Sequence, residues 1–255
     1  MVSTAGSTDL AKDLTVCVCT YNSAATLREC LSSVRRALPL SRLIVVDHNS
    51  SDGTLEIARS FGGEIFSEGS GLGRARQLCL ELAQSPYLAF VDSDVQIVKE
   101  SFFDEAARRL NDPTYGAVVG MGVGHAMSYG LPASLLLLRK WDFLGRVIPD
   151  EIDARETYFI QKRLDSRGLR TAYLADCIVH RSGFRRVKPE WEGANTRIAG
   201  GINAEELAFC FKVMVLMGIN SGSVRNLAYV PISYLKFLRG FVEPERWRRL
   251  DRRNT

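Results

Sequence analysis

The sequence lacks paired cysteine motifs, a strong charge of either sign and a leader-like start, and each absence excludes a class of protein. None of its six cysteines belongs to a Cys-x-x-Cys pair, so neither a zinc site nor a disulfide framework is expected, and a reducing cytoplasm fits best. A net charge of +4 over 255 residues is too mildly basic to make nucleic acid the expected partner. Residues 1–13 contain neither a basic region nor an apolar stretch, so no signal peptide is predicted there.

Long hydrophobic runs without interruption are also scarce, although 46% of the residues are hydrophobic, which is enough for a substantial core. Residues 113–138 carry no Lys, Arg, Asp or Glu, but they include five glycines and two prolines, which a lipid-spanning helix disfavours. This segment therefore predicts a strand, a glycine-rich loop and the start of a helix.

Strands and helices alternate regularly over the first hundred residues. Apolar, β-branched runs predict strands at 14–19, 42–47, 64–66 and 87–92, with helices between them. This order is typical of an α/β fold with a mostly parallel sheet flanked by helices. Later helices are predicted at 100–110, 133–144 and 156–167, and a further strand at 169–175. The chain from residue 189 onward is mostly helical in character.

Polar residues stand at the points where the predicted strands end. They are Thr20, Tyr21, Asn22, Asp47, Asp92, Ser93 and Asp94. Because ligands of open parallel sheets bind beyond the carboxyl ends of the strands, we expect these side chains to share one edge. The glycine-rich approach to a helix at 69–73 adds Arg74 and Arg76. Carboxylates, arginines and a helix N-terminus together suit a diphosphate that carries a divalent metal.

The Asp92-Ser93-Asp94 motif is weak evidence alone, because a turn capped by aspartates has the same pattern. Its place directly after a buried strand is more informative, and the surrounding segments resemble the family 2 glycosyltransferases of GT-A fold. The similar segments are, in order, VCTYNSAATLRECLSSV, LIVVDHNSSDGT, GSGLGRARQLCLELAQSPYLAFVDSD and ETYFIQKRLDSRGLRTAYLADCIVHRSG. The resemblance covers roughly residues 14–183 and implies a metal-dependent, inverting transfer of a sugar from a nucleoside diphosphate sugar.

The resemblance also implies individual roles. Tyr21 and Asn22 would line the nucleotide pocket and Asp47 would hold the base. Arg76 would lie near the diphosphate and Asp92 near the ribose and the metal. Asp94 would coordinate Mg²⁺ or Mn²⁺, because hard cations choose carboxylate oxygens.

Four positions qualify this picture. His48 stands where the family often has a second aspartate and reads as a polar turn residue, and Gln77 replaces an asparagine, which changes a local hydrogen bond. Gln96 completes an Asp-x-Asp-x-Gln pattern similar to that of polyprenyl-phosphate sugar synthases. There it would join the metal shell, whereas the alternative is a surface glutamine. His180, after the late strand, is either a metal ligand or a structural histidine.

The catalytic base is the least defined part of the prediction. Where the family has a Glu-Asp pair, this chain has Glu156 and Thr157; Glu156 is the preferred base, and Asp153 and Glu151 compete with it. These acids could instead only favour the helix N-terminus. Alternatively, the acceptor is a lipid phosphate, which is already an anion and needs no base. The basic residues available for it are Arg139, Lys140, Arg146, Arg181, Arg185 and Arg186.

Two other classes of protein fit the sequence less well. Sugar-nucleotide synthases begin with a glycine-rich loop after the first strand, whereas this chain has CTYNSA. A non-catalytic sugar-binding module would not need the metal aspartates and the Arg76 helix together.

We predict a catalytic domain at 1–203, with a nucleotide-sugar part at 14–98 and an acceptor part at 99–188, followed by a helical extension at 204–255. In this extension, LAFCFKVMVLM and LAYVPISYLKFLRGF are apolar but too short and too interrupted to span a bilayer. Together with ERWRRLDRR they predict either a peripheral position on the cytoplasmic leaflet near a lipid-linked or glycan acceptor, or a packing or homo-oligomer interface.

Overall fold

The computed structural model describes residues 7–39, 41–125, 131–150, 152, 154–181 and 188–247. These residues form two compact units, one up to residue 181 and the other from 188 onward. The boundary predicted between residues 203 and 204 therefore falls inside the second unit, after its first helix.

The first unit is an α/β sandwich. Its helices are α1 (Ser7–Lys12), α2 (Ala24–Ala37), α3 (Thr54–Ser60), α4 (Leu72–Leu82), α5 (Phe102–Leu110) and α6 (Glu156–Ser166). Its strands are β1 (Leu14–Thr20), β2 (Arg42–Asp47), β3 (Glu64–Ser67), β4 (Tyr87–Val91), β5 (Val95–Ile97), β6 (Tyr115–Gly122), β7 (Leu135–Arg139) and β8 (Arg170–His180). In the described part of the chain these strands form one sheet in the order β3-β2-β1-β4-β7-β6-β8-β5.

The first half of the sheet is parallel, as the sequence predicts. Strand β1 lies between β2 and β4, and its apolar residues are buried on both faces. Helix α2 packs Leu27, Leu31 and Val34 against this sheet, which is the face expected from their helical spacing. The predicted fold class is therefore confirmed in this half.

The helix predicted at 133–144 is wrong. Residues 135–139 form β7, which pairs antiparallel with both β4 and β6, and only a short 3-10 helix follows at Lys140–Phe143. Leu135 to Leu138 are all fully buried. A run of four leucines has no periodicity that separates a buried strand from a buried helix. The place between two other strands decides its conformation.

Strand β8 is longer than the predicted 169–175. It pairs parallel with β6, and past an irregularity near Asp176 it continues to His180, antiparallel to β5. This extension places His180 opposite Val95, one residue beyond Asp94.

The second unit is helical, as predicted. It contains α7 (Pro189–Gly200), α8 (Ala204–Asn220), α9 (Val224–Val242) and α10 (Pro244–Trp247). Among the described residues, no helix combines the length and the apolar character needed to cross a bilayer.

Candidate functional site

The carboxyl ends of β1 and β2 hold a buried hydrogen-bond network around Asp47. Thr20 and Asp47 are register partners, and the Thr20 hydroxyl donates to Asp47 Oδ1 at 2.7 Å. The backbone N–H and the hydroxyl of Ser50 also donate to the Asp47 carboxylate, at 2.7 and 2.6 Å. Asp47 is only 1% exposed. Asp47, which the sequence predicts to bind the nucleotide base, therefore stabilises the turn that follows β2.

The turns after β1 and β2 are tied to each other. Asn22, at a positive φ of 46°, donates its N–H to Ser50 Oγ and accepts from the N–H of Ser51. Asp52, which the sequence reasoning did not single out, accepts from the N–H of Ala24 at the start of α2 and from Thr54. The hydrogen bond from the Thr54 hydroxyl is the main cause that lowers the pKa of Asp52. Through these hydrogen bonds, the Ser-x-Asp-Gly-Thr segment at 50–54 connects the turn after β2 to the turn after β1.

His48 and Tyr21 lie at the rim of the network. Their rings meet edge to face with centroids 5.4 Å apart, and Tyr21 is 43% exposed. His48 Nδ1 lies 2.9 Å from Oε1 of the buried Glu68, which also accepts from the N–H groups of Ser70 and Gly71 before α4. His48 therefore connects the turn after β2 to the start of α4 through Glu68. No pattern in the sequence near Glu68 predicted this contact.

Two glycines have defined roles at the start of α4: Gly71, which precedes the helix, and Gly73 in its first turn. Gly71 has a φ of 144°, a region that side chains rarely adopt. Gly73 donates its N–H to the carbonyl of Ile152, and a Cβ at this position would overlap that carbonyl. The first turn of α4 can therefore lie directly against the segment before α6.

Arg76, one turn into α4, joins two carboxylates that are distant in sequence. Its Nη2 donates to Asp92 Oδ1 at 2.8 Å and its Nε to Glu156 Oε1 at 3.0 Å, while the guanidinium lies 5.0 Å from the ring centroid of Phe90. Arg76 is 4% exposed. Burial alone would lower its pKa, but the charges of Asp92 and Glu156 outweigh burial and raise it. Arg74 points elsewhere and pairs with Glu81 at 3.0 Å.

The Asp-x-Asp motif lies where β4 ends. The Asp92 side chain is 34% exposed, and the Ser93 hydroxyl lies 3.0 Å from the Ser23 hydroxyl at the start of α2. His180 Nδ1 lies 3.9 Å from Asp94 Oδ1. The nearby Asp94 carboxylate raises the pKa of His180, and burial opposes this shift. The structure therefore brings Asp92, Asp94 and His180 together at one edge.

Gln96 is engaged by a neighbouring arginine. Its side-chain oxygen accepts a hydrogen bond from the Arg181 guanidinium, which also pairs with Glu29 at 2.9 Å. Its role as a metal ligand stays a prediction.

The donor set suits a hard divalent cation shared with a phosphorylated ligand. Within the described residues, no group of three His, Cys, Asp or Glu side chains is arranged to hold a metal alone. Mg²⁺ is commonly held by one or two carboxylates together with the phosphates of a substrate. Asp92 and Asp94 follow β4 two positions apart, so the two carboxylates fit that kind of site.

Glu156 begins α6 and is 7% exposed. The residue before it, Arg155, has a φ of 67°, so the chain turns sharply into the helix. Through Arg76, Glu156 is connected to Asp92, which makes it part of the same site. Asp153 and Glu151 lie outside the residues that the structure describes.

The basic residues considered for a lipid phosphate are mostly engaged elsewhere. Arg139 bonds Asp142 and two backbone carbonyls, and Arg146 bonds Asp150. Burial lowers the pKa of Lys140, which is 7% exposed. Arg185 and Arg186 lie outside the described residues.

Gln77 holds more than the local hydrogen bond expected from the sequence. It is fully buried, its Oε1 accepts from the N–H groups of Val147 and Ile148, and its Nε2 donates to the carbonyl of Gly145. It anchors the segment that precedes α6. The only sequence signal was its place next to Arg76 on one helix.

Comparison with known proteins gives the following matches. The model of the family "Glycosyl transferase family 2" matches residues 15–187. The putative glycosyltransferase EpsH of Bacillus subtilis is 29% identical over 104 residues, which are 38% of this chain and 30% of that protein. The poly(ribitol-phosphate) beta-N-acetylglucosaminyltransferase TarS of Staphylococcus aureus is 33% identical over 102 residues, 36% of this chain and 18% of that protein. The chain thus spans less than a third of these relatives.

Solved structures show the same fold. A mannosyltransferase from Pyrobaculum calidifontis in complex with GDP-Man and Mn²⁺ has a TM-score of 0.65 at 17% identity, and the match covers 91% of this chain and 87% of that chain. A glucosyl-3-phosphoglycerate synthase from Mycobacterium tuberculosis, in complex with Mn²⁺, UDP and glucosyl-3-phosphoglycerate, has a TM-score of 0.58 at 18% identity, covering 76% and 82%. At these identities the likeness concerns the fold.

Proposed function

The chain belongs to glycosyl transferase family 2, and we propose that it transfers a sugar, with inversion, from a nucleoside diphosphate sugar to an acceptor hydroxyl. The donor class is supported by the neighbours of similar fold, one solved with GDP-Man and Mn²⁺ and another, TarS, with UDP-GlcNAc. The acceptor is a glycan or a lipid-linked hydroxyl.

One observation carries the proposal: a single buried arginine, Arg76, bonds both Asp92 and Glu156. Asp92 lies on the strand edge where a donor would bind, and Glu156 begins the helix that carries the candidate base. A buried guanidinium shared by two carboxylates fixes their relative position. The donor and acceptor halves of the reaction are thereby held together by the protein before any ligand binds.

On the donor side, Tyr21, Asn22 and Asp47 would hold the nucleoside, with Thr20 and Ser93 supporting them. Asp92 and Asp94 would hold Mg²⁺ or Mn²⁺, with His180 and Gln96 at its periphery. When bound, the cation neutralises the negative charge of the diphosphate as it leaves.

On the acceptor side, Glu156 would take the proton. The acceptor oxygen attacks the anomeric carbon from the face opposite the diphosphate, its proton passes to a Glu156 oxygen, and the bond from the anomeric carbon to the diphosphate breaks. A positioned base of this kind contributes about 10²–10⁴-fold to a rate. The bond from Arg76 leaves the second oxygen, Oε2, for this role.

Donor binding is the first test. Unfolding temperature is measured with UDP-sugars and GDP-sugars, each with and without Mn²⁺, for the unchanged chain, for Asp92→Asn and for the control Asp104→Asn, an acidic residue on α5. A ligand at 100 times its Kd stabilises the fold by about 2.7 kcal/mol. The unchanged chain and the control should respond to at least one donor with Mn²⁺, and Asp92→Asn should not. A chain that responds to no donor, or an Asp92→Asn variant that responds fully, contradicts the proposal.

A second acceptor class, a polyprenyl phosphate, is favoured by the environment of Glu156. The residue is almost fully buried and one of its oxygens is taken by Arg76, which limits its access to an acceptor proton. A phosphate acceptor is already deprotonated. Glu156→Gln separates the two acceptors: it should reduce transfer to a hydroxyl by about 100-fold or more, whereas transfer to a lipid phosphate should stay within a few-fold of normal.

A further inference from the structure

Helices α8 and α9 form an antiparallel pair, and close contacts join them to each other and to α7. Helix α9 crosses α7 so closely that a Cβ at Gly193 would overlap the carbonyl of Phe237, and one at Gly240 would overlap that of Glu190. On the other side α8 lies against α9, where Gly218 approaches the backbone of Leu227. The Tyr234 hydroxyl adds a bond to the carbonyl of Leu207, at 3.0 Å. Helices α8 and α9 therefore pack in a defined arrangement.

Many apolar side chains of the same two helices remain exposed. We call them the hairpin surface; its exposed large apolar residues are Phe209, Phe211, Met217, Ile219, Val224, Leu227, Tyr229, Ile232, Leu235 and Val242. Val224 is 84% exposed and Leu235 67%. In α8 only Cys210 and Gly218 are buried, although every residue from Leu207 to Ile219 except Lys212 is apolar. A helix that is apolar all round is normally surrounded by protein or lipid.

Between the glutamates at its two ends (Glu205, Glu206 and Glu243), the charge of the helix pair has one sign. Residues 207–242 contain no Asp or Glu, and their charged residues are Lys212, Arg225, Lys236 and Arg239. All four are exposed. Lys236 lies beside the Tyr229 ring, and Arg239 lies 5.1 Å from the ring centroid of Trp247. Basic side chains next to aromatic rings are typical of helices at the headgroup region of a bilayer.

We propose that the hairpin surface docks onto a bilayer that contains anionic lipid. Neither helix can cross the bilayer, so the pair would lie in the interface with its apolar residues among the acyl chains. A second copy of the chain would cover the apolar residues but would bring equal positive charges together, whereas anionic headgroups match both the apolar and the basic part. The docking is independent of the proposed catalytic function.

The experiment is co-sedimentation of the full chain with vesicles of phosphatidylcholine alone or with added phosphatidylglycerol, at low and high salt. Three variants accompany it. Arg225→Glu/Lys236→Glu reverses two charges of the hairpin surface, Val224→Ser/Leu235→Ser removes exposed apolar side chains, and the control Arg28→Glu/Arg108→Glu makes the same charge change on exposed arginines of the first unit.

We expect binding to the anionic vesicles that weakens with salt. For Arg225→Glu/Lys236→Glu, the loss of two basic groups at about 1 kcal/mol each corresponds to about 30-fold weaker binding, and the two added negative charges weaken binding further. The apolar variant should also bind more weakly, and the control should bind as the unchanged chain does. An unchanged chain that stays in the supernatant with both vesicles overturns the proposal. So does a dimer by light scattering that separates in the Val224→Ser/Leu235→Ser variant while no vesicles are bound.

Discussion

Replacing Arg76 by methionine tests whether the buried carboxylates depend on this one guanidinium. Methionine keeps a long flexible side chain against the Phe90 ring, so the change removes the charge and two hydrogen bonds while most of the packing is retained. Glu156 is then left without its cation in a place where its side chain is 9% exposed.

The two lost bonds are not equal. The Asp92 side chain is 34% exposed, so water replaces much of what Arg76 supplied there. Glu156 is buried, and removing one partner of a buried ion pair typically costs 3–5 kcal/mol. We therefore expect Arg76→Met to lower the free energy of unfolding by about 3 kcal/mol. Glu156→Gln, which keeps an acceptor oxygen for Arg76, should cost about 1 kcal/mol.

The double variant should be less unstable than the sum of the two single variants. With both charges gone, no unpaired buried carboxylate remains, so we expect a total cost of about 2 kcal/mol and a coupling of about 2 kcal/mol. The assay is urea unfolding without ligand, followed by circular dichroism. Arg74→Met on the same helix is the matched control; its ion pair with Glu81 lies at the surface, so it should cost less than about 1 kcal/mol.

Additive costs, within about 0.5 kcal/mol, would refute the reasoning, because residues that do not interact give additive changes. An Arg76→Met variant as stable as the Arg74→Met control would refute it as well.

Three further predictions concern the metal and the contacts of α4. Removal of divalent metal by EDTA should abolish transfer, and Asp94→Asn should reduce the metal-supported rate by about 100-fold or more. The circular dichroism of the variant should be unchanged. Full turnover in EDTA would contradict the prediction of a metal site. Gln77→Leu should lower the unfolding free energy by about 3 kcal/mol, because it leaves the N–H groups of Val147 and Ile148 without acceptors. A urea midpoint equal to that of the unchanged chain would argue against this role of Gln77. Gly73→Ala should cost about 1–3 kcal/mol through overlap with the Ile152 carbonyl, and a gain in stability, measured in the same way, would show that the segment can move aside.

Much of the donor half could be read from consecutive residues. Alternating apolar runs and amphipathic segments fixed β1, β2 and β4 to within a residue, since each needs only its own periodicity to be recognised. The parallel order of those strands then placed Thr20, Asp47 and Asp92 on one edge. The family match over residues 15–187 confirms the resemblance that was built on these segments.

The acceptor half could not be read in the same way. The leucines of β7 have no local pattern that separates a strand from a helix, and they became a strand because β4 and β6 flank them. The apolar sequence of α8 also did not show that its outer face would stay exposed, because that depends on which helices pack beside it.

The sequence by itself determined the elements of the donor half, the polar strand ends and the family, because each is encoded in neighbouring residues. The tertiary structure alone decided that Arg76 joins Asp92 and Glu156 and that Gln77 holds the segment before α6. The bond between Arg76 and Glu156 spans 80 positions in the chain. Such a pairing leaves no trace in local periodicity, since it exists only when packing brings the two side chains into one buried place where each charge needs the other.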